Sequence, residues 1–341
     1  MDFRLSVLDQ SPIPEGFGGA DALRNSVDLA QLADELGYHR YWVAEHHGTP
    51  GLASASPEAL IGPIAAATPR IRVGSGGVML PHYSPLKVAE TFSALSGLFP
   101  GRIDLGVGRA PGTDPMTTFA LQRDRRQASP DDFPQQMAEL LGYLSGDLPA
   151  DHPFVRLSAT LPGLPERPEP WLLGSSPQSG IWAAELGLPY AFADFINAGG
   201  ADIAAQYRAD SERPVLAVAT WAICADTEEE AQRLASSSRM MMRLLAQGRL
   251  IAVPPVEKAL RFLASQVSPP SSRERSRRAI IGDPAQVRAG LESVAAEYGA
   301  DELMVVSITH DHDARRRSYE LIADAFGLQA VAGEVAARAA G

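Results

Sequence analysis

The stretch IRVGSGGVMLPHYSPLKVAETFSALSGLFPGRIDLGVGR, residues 71–109, decides the fold class of this chain. A β-rich run at 71–80 is followed by a helical pattern over 84–99 and by a second β-rich run at 101–109. A strand, a helix and a strand in this order form a parallel βαβ unit, because parallel strands need a crossover connection between them. The stretch therefore predicts an α/β protein.

The same alternation runs through the rest of the 341 residues and yields eight strands and eight helices. The strands are predicted at 3–9, 39–45, 71–80, 101–109, 170–174, 188–196, 214–225 and 301–308. Eight such units favour a closed (β/α)8 TIM barrel over the alternative, an open doubly wound sheet. We expect one domain, 1–341, with insertions at about 110–131, 147–168 and 247–280, where proline-rich and polar segments interrupt the alternation of strands and helices.

Composition narrows the function classes. The chain has 30 basic and 41 acidic residues, a net charge of −11, and this acidity disfavours binding to nucleic acid or to an anionic membrane surface. A single cysteine, Cys224, excludes an internal disulfide. Neither a secretory leader nor an apolar run of the ~20 residues that a membrane span requires is visible, so we expect a cytoplasmic protein.

Function in a barrel of this kind lies at the carboxyl ends of the strands. His46, which follows the second strand beside Glu45, is a candidate general acid/base, although a histidine that only caps a strand end is the alternative. His46 and His47 do not suggest a metal site, because adjacent residues of a strand point to opposite faces. A site recruiting Asp9 or His310 stays a minor alternative, and we expect no metal.

Glycines at the end of the third strand are a second signal. Gly76 and Gly77 belong to a GSGG run, which permits a flat, side-chain-free surface against which a planar ring can lie. A simple β-bulge is the alternative. The GVGRAPG run on the fourth strand is not a dinucleotide fingerprint, because its glycine spacing is GxGxxxG.

A third signal is the GSSPQSG run after the fifth strand. It contains Gly174, Ser175, Ser176 and Ser179 at a predicted helix N-terminus, where free N–H groups bind phosphate, and Arg109 after the fourth strand can add a cation. An ordinary serine N-cap is the alternative. Together, the three signals suggest a phosphorylated planar cofactor.

Two cofactors are of this phosphorylated, planar type. Flavin mononucleotide (FMN) fits the ring platform, the phosphate cradle and the histidine between them. Pyridoxal phosphate fits less well, because it needs a Schiff-base lysine and neither Lys87 nor Lys258 is suitably placed.

Six stretches in chain order together resemble the bacterial luciferase-like flavin monooxygenases. They are LSVLDQSPIPEG, YWVAEHHG, RVGSGGVMLPHYSPLKVAE, GRIDLGVGRAPG, LLGSS with AAELGLPYAFA, and GADELMVVSITHDHDARRRSYEL. The resemblance implies a barrel that binds reduced FMN (FMNH2) from a separate flavin reductase and uses O2 to oxygenate a small molecule. Epoxidation, hydroxylation and Baeyer–Villiger oxidation of an apolar or aromatic substrate are the implied reactions, with polyketide tailoring as one role. A homodimer is also implied.

The resemblance assigns roles residue by residue. The family's active-site histidine corresponds to His46, and its non-prolyl cis peptide beneath the flavin ring corresponds to Gly76-Gly77. Its phosphate-binding arginine corresponds to Arg109, and its phosphate-binding segment contains Ser175, Ser176 and Ser179.

Two departures from the family pattern stand beside these assignments. Gly108 replaces the cysteine of light-emitting members, which argues against bioluminescence. Residues 194–197, DFIN, replace histidine-rich text, so the substrate side of the pocket stays open.

Two other functions remain compatible with the same fold. One is hydride transfer with the deazaflavin F420, which lacks the flavin N5 and does not support the oxygenation. The other is a non-catalytic flavin-binding partner subunit, against which the intact Glu45-His46-His47 motif argues.

Overall fold

The computed structural model describes residues 3–109, 114–122, 126, 132–266 and 278–329. Within these ranges the chain forms nine strands in one parallel sheet. They are β1 (Arg4–Asp9), β2 (Arg40–Val43), β3 (Arg72–Met79), β4 (Ile103–Gly108), β5 (Glu169–Gly174), β6 (Tyr190–Ala193), β7 (Leu216–Cys224), β8 (Ala279–Gly282) and β9 (Glu302–Val306).

Eight of these strands close into a barrel. β1 pairs with β2 on one side and with β9 on the other, and β7 joins β6 to β9, so the ring runs β1-β2-β3-β4-β5-β6-β7-β9. The (β/α)8 class is therefore confirmed, and the open-sheet alternative is excluded by the β6–β7 pairing. The ring strands are the eight that the sequence predicts. The short β8 is not part of this ring. It pairs with Trp221–Cys224, the carboxyl-terminal part of β7.

Helices surround the barrel, as alternation with parallel strands requires. Five of them begin with proline directly after a serine or aspartate N-cap, a position where the missing proline N–H costs no hydrogen bond. The helices are α1 (Gly19–Leu36), α2 (Pro57–Ala67), α3 (Pro85–Leu98), α4 (Pro115–Leu121), α5 (Phe133–Ser145), α6 (Pro177–Glu185), α7 (Ala201–Asp210), α8 (Glu228–Leu245), α9 (Val256–Ala264), α10 (Pro284–Tyr298) and α11 (His312–Phe326). None of these helices is long and apolar enough to cross a membrane.

The predicted insertions contain more regular structure than their sequence suggests. α4 lies in the first, a 3-10 helix (Val155–Thr160) in the second, and α9 with the start of β8 in the third, where an irregular segment was expected. α9 follows Pro254-Pro255, a dipeptide typical of loops, but it buries Val256 and Ala259 and packs beside α8. The other parts of the first and third insertions, 110–113, 123–125, 127–131 and 267–277, lie outside the described residues.

The amino-terminal end of the barrel interior is filled by an ionic layer. We use this name for Arg40, Asp104 and Glu302, which are nearly or fully buried. The Arg40 guanidinium lies 2.8 Å from the Asp104 carboxylate and 3.1 Å from that of Glu302. Arg72 also pairs with Asp104, and Ser6 donates a hydrogen bond to Glu302. The layer thus joins β1, β2, β3, β4 and β9 through their side chains.

An aromatic layer lies against the ionic layer inside the barrel. The Trp42 indole N–H donates to Asp104 at 2.9 Å, and the Arg40 guanidinium lies 4.8 Å from the centre of the Trp171 ring. The two indole rings meet edge to face, with their centres 5.3 Å apart. Both rings are fully buried, so they separate the ionic layer from the carboxyl end of the barrel.

Replacing Arg40 with methionine tests the importance of the ionic layer for stability. Arg40→Met leaves two buried carboxylates without their shared cation, and we expect the free energy of unfolding to fall by about 3–5 kcal/mol. Urea denaturation measures this change. Arg24→Met removes an exposed ion pair with Asp21 on α1 and is the matched control, with no resolvable change expected. Equal stabilities of the two variants would contradict the prediction.

Candidate active site

A cavity of about 440 Å³ opens at the carboxyl ends of the barrel strands. Its inner end is lined by Leu8, Trp42, Ala219 and Met304, which belong to or adjoin the aromatic layer. All eight residues singled out from the sequence line this one cavity, namely His46, Gly76, Gly77, Arg109, Gly174, Ser175, Ser176 and Ser179. The barrel topology brings them together although they span more than 130 positions in the chain.

His46 lies half-buried at the wall of the cavity, three residues after the end of β2. Its backbone N–H donates to the Ser54 carbonyl at 2.9 Å, which fixes the start of the loop. Its Nδ1 atom is buried and has no hydrogen-bond partner among the described residues. Burial, together with the neighbouring His47, lowers the pKa of His46 to about 4. The imidazole is therefore neutral near pH 7.

Glu45 does not hydrogen-bond to the adjacent His46, and the two side chains lie in different surroundings. The buried Glu45 carboxylate instead lies 2.8 Å from Nε2 of His47, and it accepts hydrogen bonds from the Tyr83 hydroxyl at 3.0 Å and from the Met79 N–H at 2.9 Å. Strand-like alternation explains the difference, because His46 is directed away from its two chain neighbours. The catalytic prediction for His46 thus depends on its own environment and not on a carboxylate partner.

Gly76 and Gly77 are joined by a cis peptide bond, as the family resemblance implied. The pairing of β3 with β4 also shifts register between Gly76 and Val78, so the bulge considered as the alternative is present as well. A Cβ atom on Gly76 would lie 2.5 Å from the Leu8 side chain, and one on Gly77 would lie 2.7 Å from the Gly106 carbonyl. Close packing on both sides therefore requires glycine here and leaves a flat surface at the cavity.

The rim of the cavity opposite β1 contains Arg109 and the N-terminus of α6. Arg109 is exposed, and its guanidinium lies 5.3 Å from the centre of the Trp182 ring. Ser176 is the N-cap of α6 and is exposed, and Ser175 is partly exposed. Side-chain hydroxyls, helix N–H groups and a cation thus meet at one place, an arrangement that suits an anion.

Ser179 and Gly174 serve the fold at this rim. The Ser179 hydroxyl donates to the Ser176 carbonyl at 2.7 Å and lies 2.8 Å from the Tyr190 hydroxyl. A Cβ atom on Gly174 would collide with the Ser179 side chain. Ser179 is 8% exposed, so its hydroxyl is less available to an anion than those of Ser175 and Ser176.

Other candidates from the sequence lie away from the cavity. Asp9 is directed out of the barrel, where it forms a buried ion pair with Arg315, and this contact is incompatible with the metal role considered for it. His310 contacts the Glu15 carbonyl. Across the described ranges, no group of three or more histidine, cysteine and acidic side chains is placed to hold a metal ion.

The segment 194–197 forms an apolar wall on the substrate side of the cavity, the side to which the sequence assigned no residues. Asp194 is fully buried and accepts hydrogen bonds from the Thr220 and Tyr298 hydroxyls, both at 2.9 Å, while burial raises its pKa. Phe195 and Ile196 follow it and line the cavity. Asp194 therefore anchors the loop, and the two apolar side chains face the ligand space.

Gln10 is a cavity residue to which the sequence analysis gave no role. It follows β1 and shares the inner face of that strand with Leu8, two positions earlier. The two-residue period of strands is the signal that identifies it.

Comparison with known proteins agrees with this site. The model of the luciferase-like monooxygenases matches residues 1–302. The chain belongs to this family. The identification made from the motifs is thus confirmed, and so is the prediction that the protein is a monooxygenase enzyme.

Several relatives show how far the likeness to this family extends. A luciferase-like monooxygenase of Escherichia coli is 42% identical over 94% of this chain and 96% of its own length. N-acetyl-S-alkylcysteine monooxygenase of Bacillus subtilis is 39% identical, over 94% and 98%. Among solved structures, apo-MsnO8 has a TM-score of 0.88 and 42% identity, covering 96% of this chain and 99% of its own.

More distant structures share the fold alone. One is the oxygenating constituent of 3,6-diketocamphane monooxygenase of Pseudomonas putida in complex with FMN, with a TM-score of 0.71 and 18% identity over 94% and 96% of the two chains. Another is an F420-dependent secondary alcohol dehydrogenase with an F420-acetone adduct, with a TM-score of 0.64 and 14% identity over 95% and 99%. These two proteins bind FMN and F420, respectively.

The low pKa of His46 predicts a specific pH dependence of stability. The pKa is about 4 in the folded luciferase-like monooxygenase and about 6.5 in the unfolded chain, so the unfolded chain binds the proton first as the pH falls below 6.5. The free energy of unfolding therefore falls as the pH is lowered from about 6.5 to about 4. His46 accounts for about 1–2 kcal/mol of this decrease between pH 7 and pH 5. We expect His46→Gln to remove that part of the pH dependence.

Unfolding in urea at pH 7 and pH 5 measures the effect for the wild type and the variant. His39→Gln is the matched control, because the pKa of His39 is also about 4, through burial and the nearby Arg40, at the other end of the barrel. Each variant should lose its own share of the pH dependence, and the double variant should lose both. An unchanged pH dependence of His46→Gln would show that this imidazole titrates normally.

Proposed function

We propose that this luciferase-like monooxygenase binds reduced FMN, delivered by a separate flavin reductase, and uses O2 to oxygenate an apolar or aromatic small molecule. The observation that carries the proposal is the meeting of three features in one cavity. These are the Arg109 and α6 rim, the flat surface at Gly76-Gly77 and the neutral imidazole of His46.

The residues fit FMN at both of its ends. The phosphate would be held by Arg109, by the Ser175 and Ser176 hydroxyls and by the N-terminus of α6, where charge-assisted hydrogen bonds are strong. The planar ring would lie against Gly76-Gly77, where a Cβ atom has no room. When bound, reduced flavin supplies the electrons for the activation of O2.

His46 would move the proton in this site. Its ring makes no hydrogen bond to the described protein, and with Nδ1 buried, Nε2 is the nitrogen open to the cavity. A neutral imidazole accepts a proton there near pH 7 without first losing one, which is the requirement for a general base. The backbone hydrogen bond from the His46 N–H to the Ser54 carbonyl holds the residue at the cavity wall and leaves both ring nitrogens unused.

The walls favour an apolar substrate. Met79, Phe133, Phe195 and Ile196 line the cavity, and the carboxyl group of Asp194 is directed away from it, toward Thr220. These side chains also exclude water from the reacting groups. The relative at 39% identity is named for N-acetyl-S-alkylcysteine, so thioethers of this type are tested beside aromatic and terpenoid compounds.

Incorporation of labelled oxygen into a product tests the function as a whole. The wild-type protein is supplied with reduced FMN from a generic flavin reductase, or with reduced F420, together with a substrate panel and 18O2. Label incorporation into a product with reduced FMN supports the proposal. Oxidation or reduction of a substrate with F420 and without label in the product would instead establish the hydride-transfer alternative.

The phosphate contact of Arg109 has a measurable consequence. Arg109→Ala removes a charge-assisted contact worth about 1.5–3 kcal/mol, so the affinity for FMN should fall by about tenfold or more. Riboflavin, which lacks the phosphate, should bind the variant as it binds the wild type. Fluorescence titration measures both ligands, and equal losses for the two would place Arg109 away from the phosphate.

Removal of the His46 imidazole should affect catalysis more than binding. We expect His46→Ala to lose product formation by a factor of about 10²–10⁴, the usual range for a general acid/base. Reduced FMN should still bind and react with O2, so hydrogen peroxide should be released in place of product. His47→Ala is the control, because that ring is directed to Glu45, and it should retain most of the coupled activity.

A further inference from the structure

Gln10 is nine-tenths buried, with 6% of its surface exposed, yet its side-chain amide makes no hydrogen bond to any residue that the structure describes. Its backbone carbonyl accepts a hydrogen bond from the Ser54 hydroxyl at 3.1 Å. The amide lies at the cavity surface, and a polar group of this kind needs a hydrogen-bond partner, either water or a ligand. A molecule that fills the cavity must replace those hydrogen bonds or leave a buried donor and acceptor unmade.

The backbone around Gln10 is held in an uncommon conformation. Ser11 has a φ of +48°, a region that residues other than glycine rarely adopt. Its N–H donates to the Asp9 carboxylate at 2.7 Å, and its hydroxyl lies 2.8 Å from that of Ser26. Asp9 in turn is fixed by the buried Arg315. This network fixes the turn from which Gln10 is directed into the cavity.

Ser54 connects the turn at Gln10 to the loop of His46. The hydroxyl of Ser54 donates to the Gln10 carbonyl, while its own carbonyl accepts the His46 N–H. Ser54 is 1% exposed, so both contacts are shielded from water. Ser54 thus holds together, at one wall, the segments of Gln10 and His46, two polar side chains that make no hydrogen bond to the described part of the chain.

The position of Gln10 in the barrel identifies the part of the ligand that it meets. Gln10 follows β1, and Ser175 and Ser176 follow β5, four strands away in either direction around the eight-stranded ring. A ligand anchored by its phosphate at the β5 side therefore extends its far end toward Gln10. For FMN, that far end is the ring system.

We propose that the side-chain amide of Gln10 recognises the imide edge of the flavin ring. This inference rests on the proposed function. The imide edge presents two carbonyl groups and one N–H, and a primary amide offers both a donor and an acceptor to match them. The opposite edge of the ring has two methyl groups, which would leave the Gln10 amide desolvated and unpaired.

A matched pair of glutamines separates ligand recognition from structure. Gln136 on α5 is 3% exposed and donates a hydrogen bond to the Tyr83 carbonyl, outside the residues that line the cavity. Gln136→Met should therefore lower the unfolding temperature of the free protein and leave flavin binding unchanged. Gln10→Met should do the reverse, because it removes a polar group that the fold does not use.

The experiment is an anaerobic titration of the wild type and both variants with reduced FMN, reduced riboflavin and reduced 3-methylriboflavin. We expect Gln10→Met to weaken FMN and riboflavin binding by the same factor, about three- to tenfold. The wild type should discriminate against the N3-methylated ring, and Gln10→Met should not. Thermal unfolding of the free proteins should place Gln10→Met at or above the wild type.

The outcomes distinguish this inference from the function on which it rests. If the wild type binds reduced FMN and Gln10→Met binds it equally well, the inference is overturned and the proposed function stands. If the wild type binds no reduced flavin, both are overturned. A drop in the unfolding temperature of Gln10→Met as large as that of Gln136→Met, with unchanged affinity, would make Gln10 a structural residue.

Discussion

The ion pairs of Arg40 with Asp104 and Glu302 are the interaction on which the site depends. They fill one end of the barrel with charged groups that satisfy one another: burial raises the pKa of Glu302, and the adjacent Arg40 guanidinium acts in the opposite direction by favouring the carboxylate. The aromatic layer lies on these ion pairs, since Trp42 donates directly to Asp104. Because both layers occupy the amino-terminal part of the interior, the open space lies at the carboxyl end, where the strand-end residues meet.

Glycines of β3 connect this packing to the cavity. A Cβ atom on Gly74 would lie 2.6 Å from the Cβ atom of Asp104 and 2.9 Å from the Trp42 indole nitrogen. Two residues later, Gly76 packs as closely on Leu8 at the inner end of the cavity. The glycine-rich strand therefore serves both the ionic layer and the flat surface, so the GSGG run has a structural reason as well as the proposed functional one.

The features that depend on short-range sequence patterns, the barrel strands and the residues at their ends, were predictable from the sequence. Each barrel strand was predictable, because strands and helices have different periods, and all eight candidate residues line one cavity because strand ends converge in a barrel. Closure depends on the β6–β7 pairing, which no local pattern contains. The nine-residue α9 was missed because its helical state depends on packing against α8.

Side-chain direction at the strand ends was predictable in principle. The two-residue period that separates the directions of His46 and His47 extends to Glu45 and Asp9. Applied to them, it directs both carboxylates away from the barrel axis, as the structure has them, and it directs Gln10 inward with Leu8. Which buried polar groups have hydrogen-bond partners depends on the folded structure and is not contained in the sequence pattern.

The partnering of these groups separates residues of the fold from residues of the site. The carboxylates of Asp9, Glu45 and Asp194 lie near the cavity, and each is engaged by protein donors. The polar side chains directed into the cavity include the neutral Gln10 and His46, while the Ser175 and Ser176 hydroxyls and the cation Arg109 lie at the rim. Such a cavity suits a ligand with a neutral ring and one anionic end. Because the nearby carboxylates are engaged by the fold, proton transfer in the proposed reaction depends on an imidazole that burial keeps neutral.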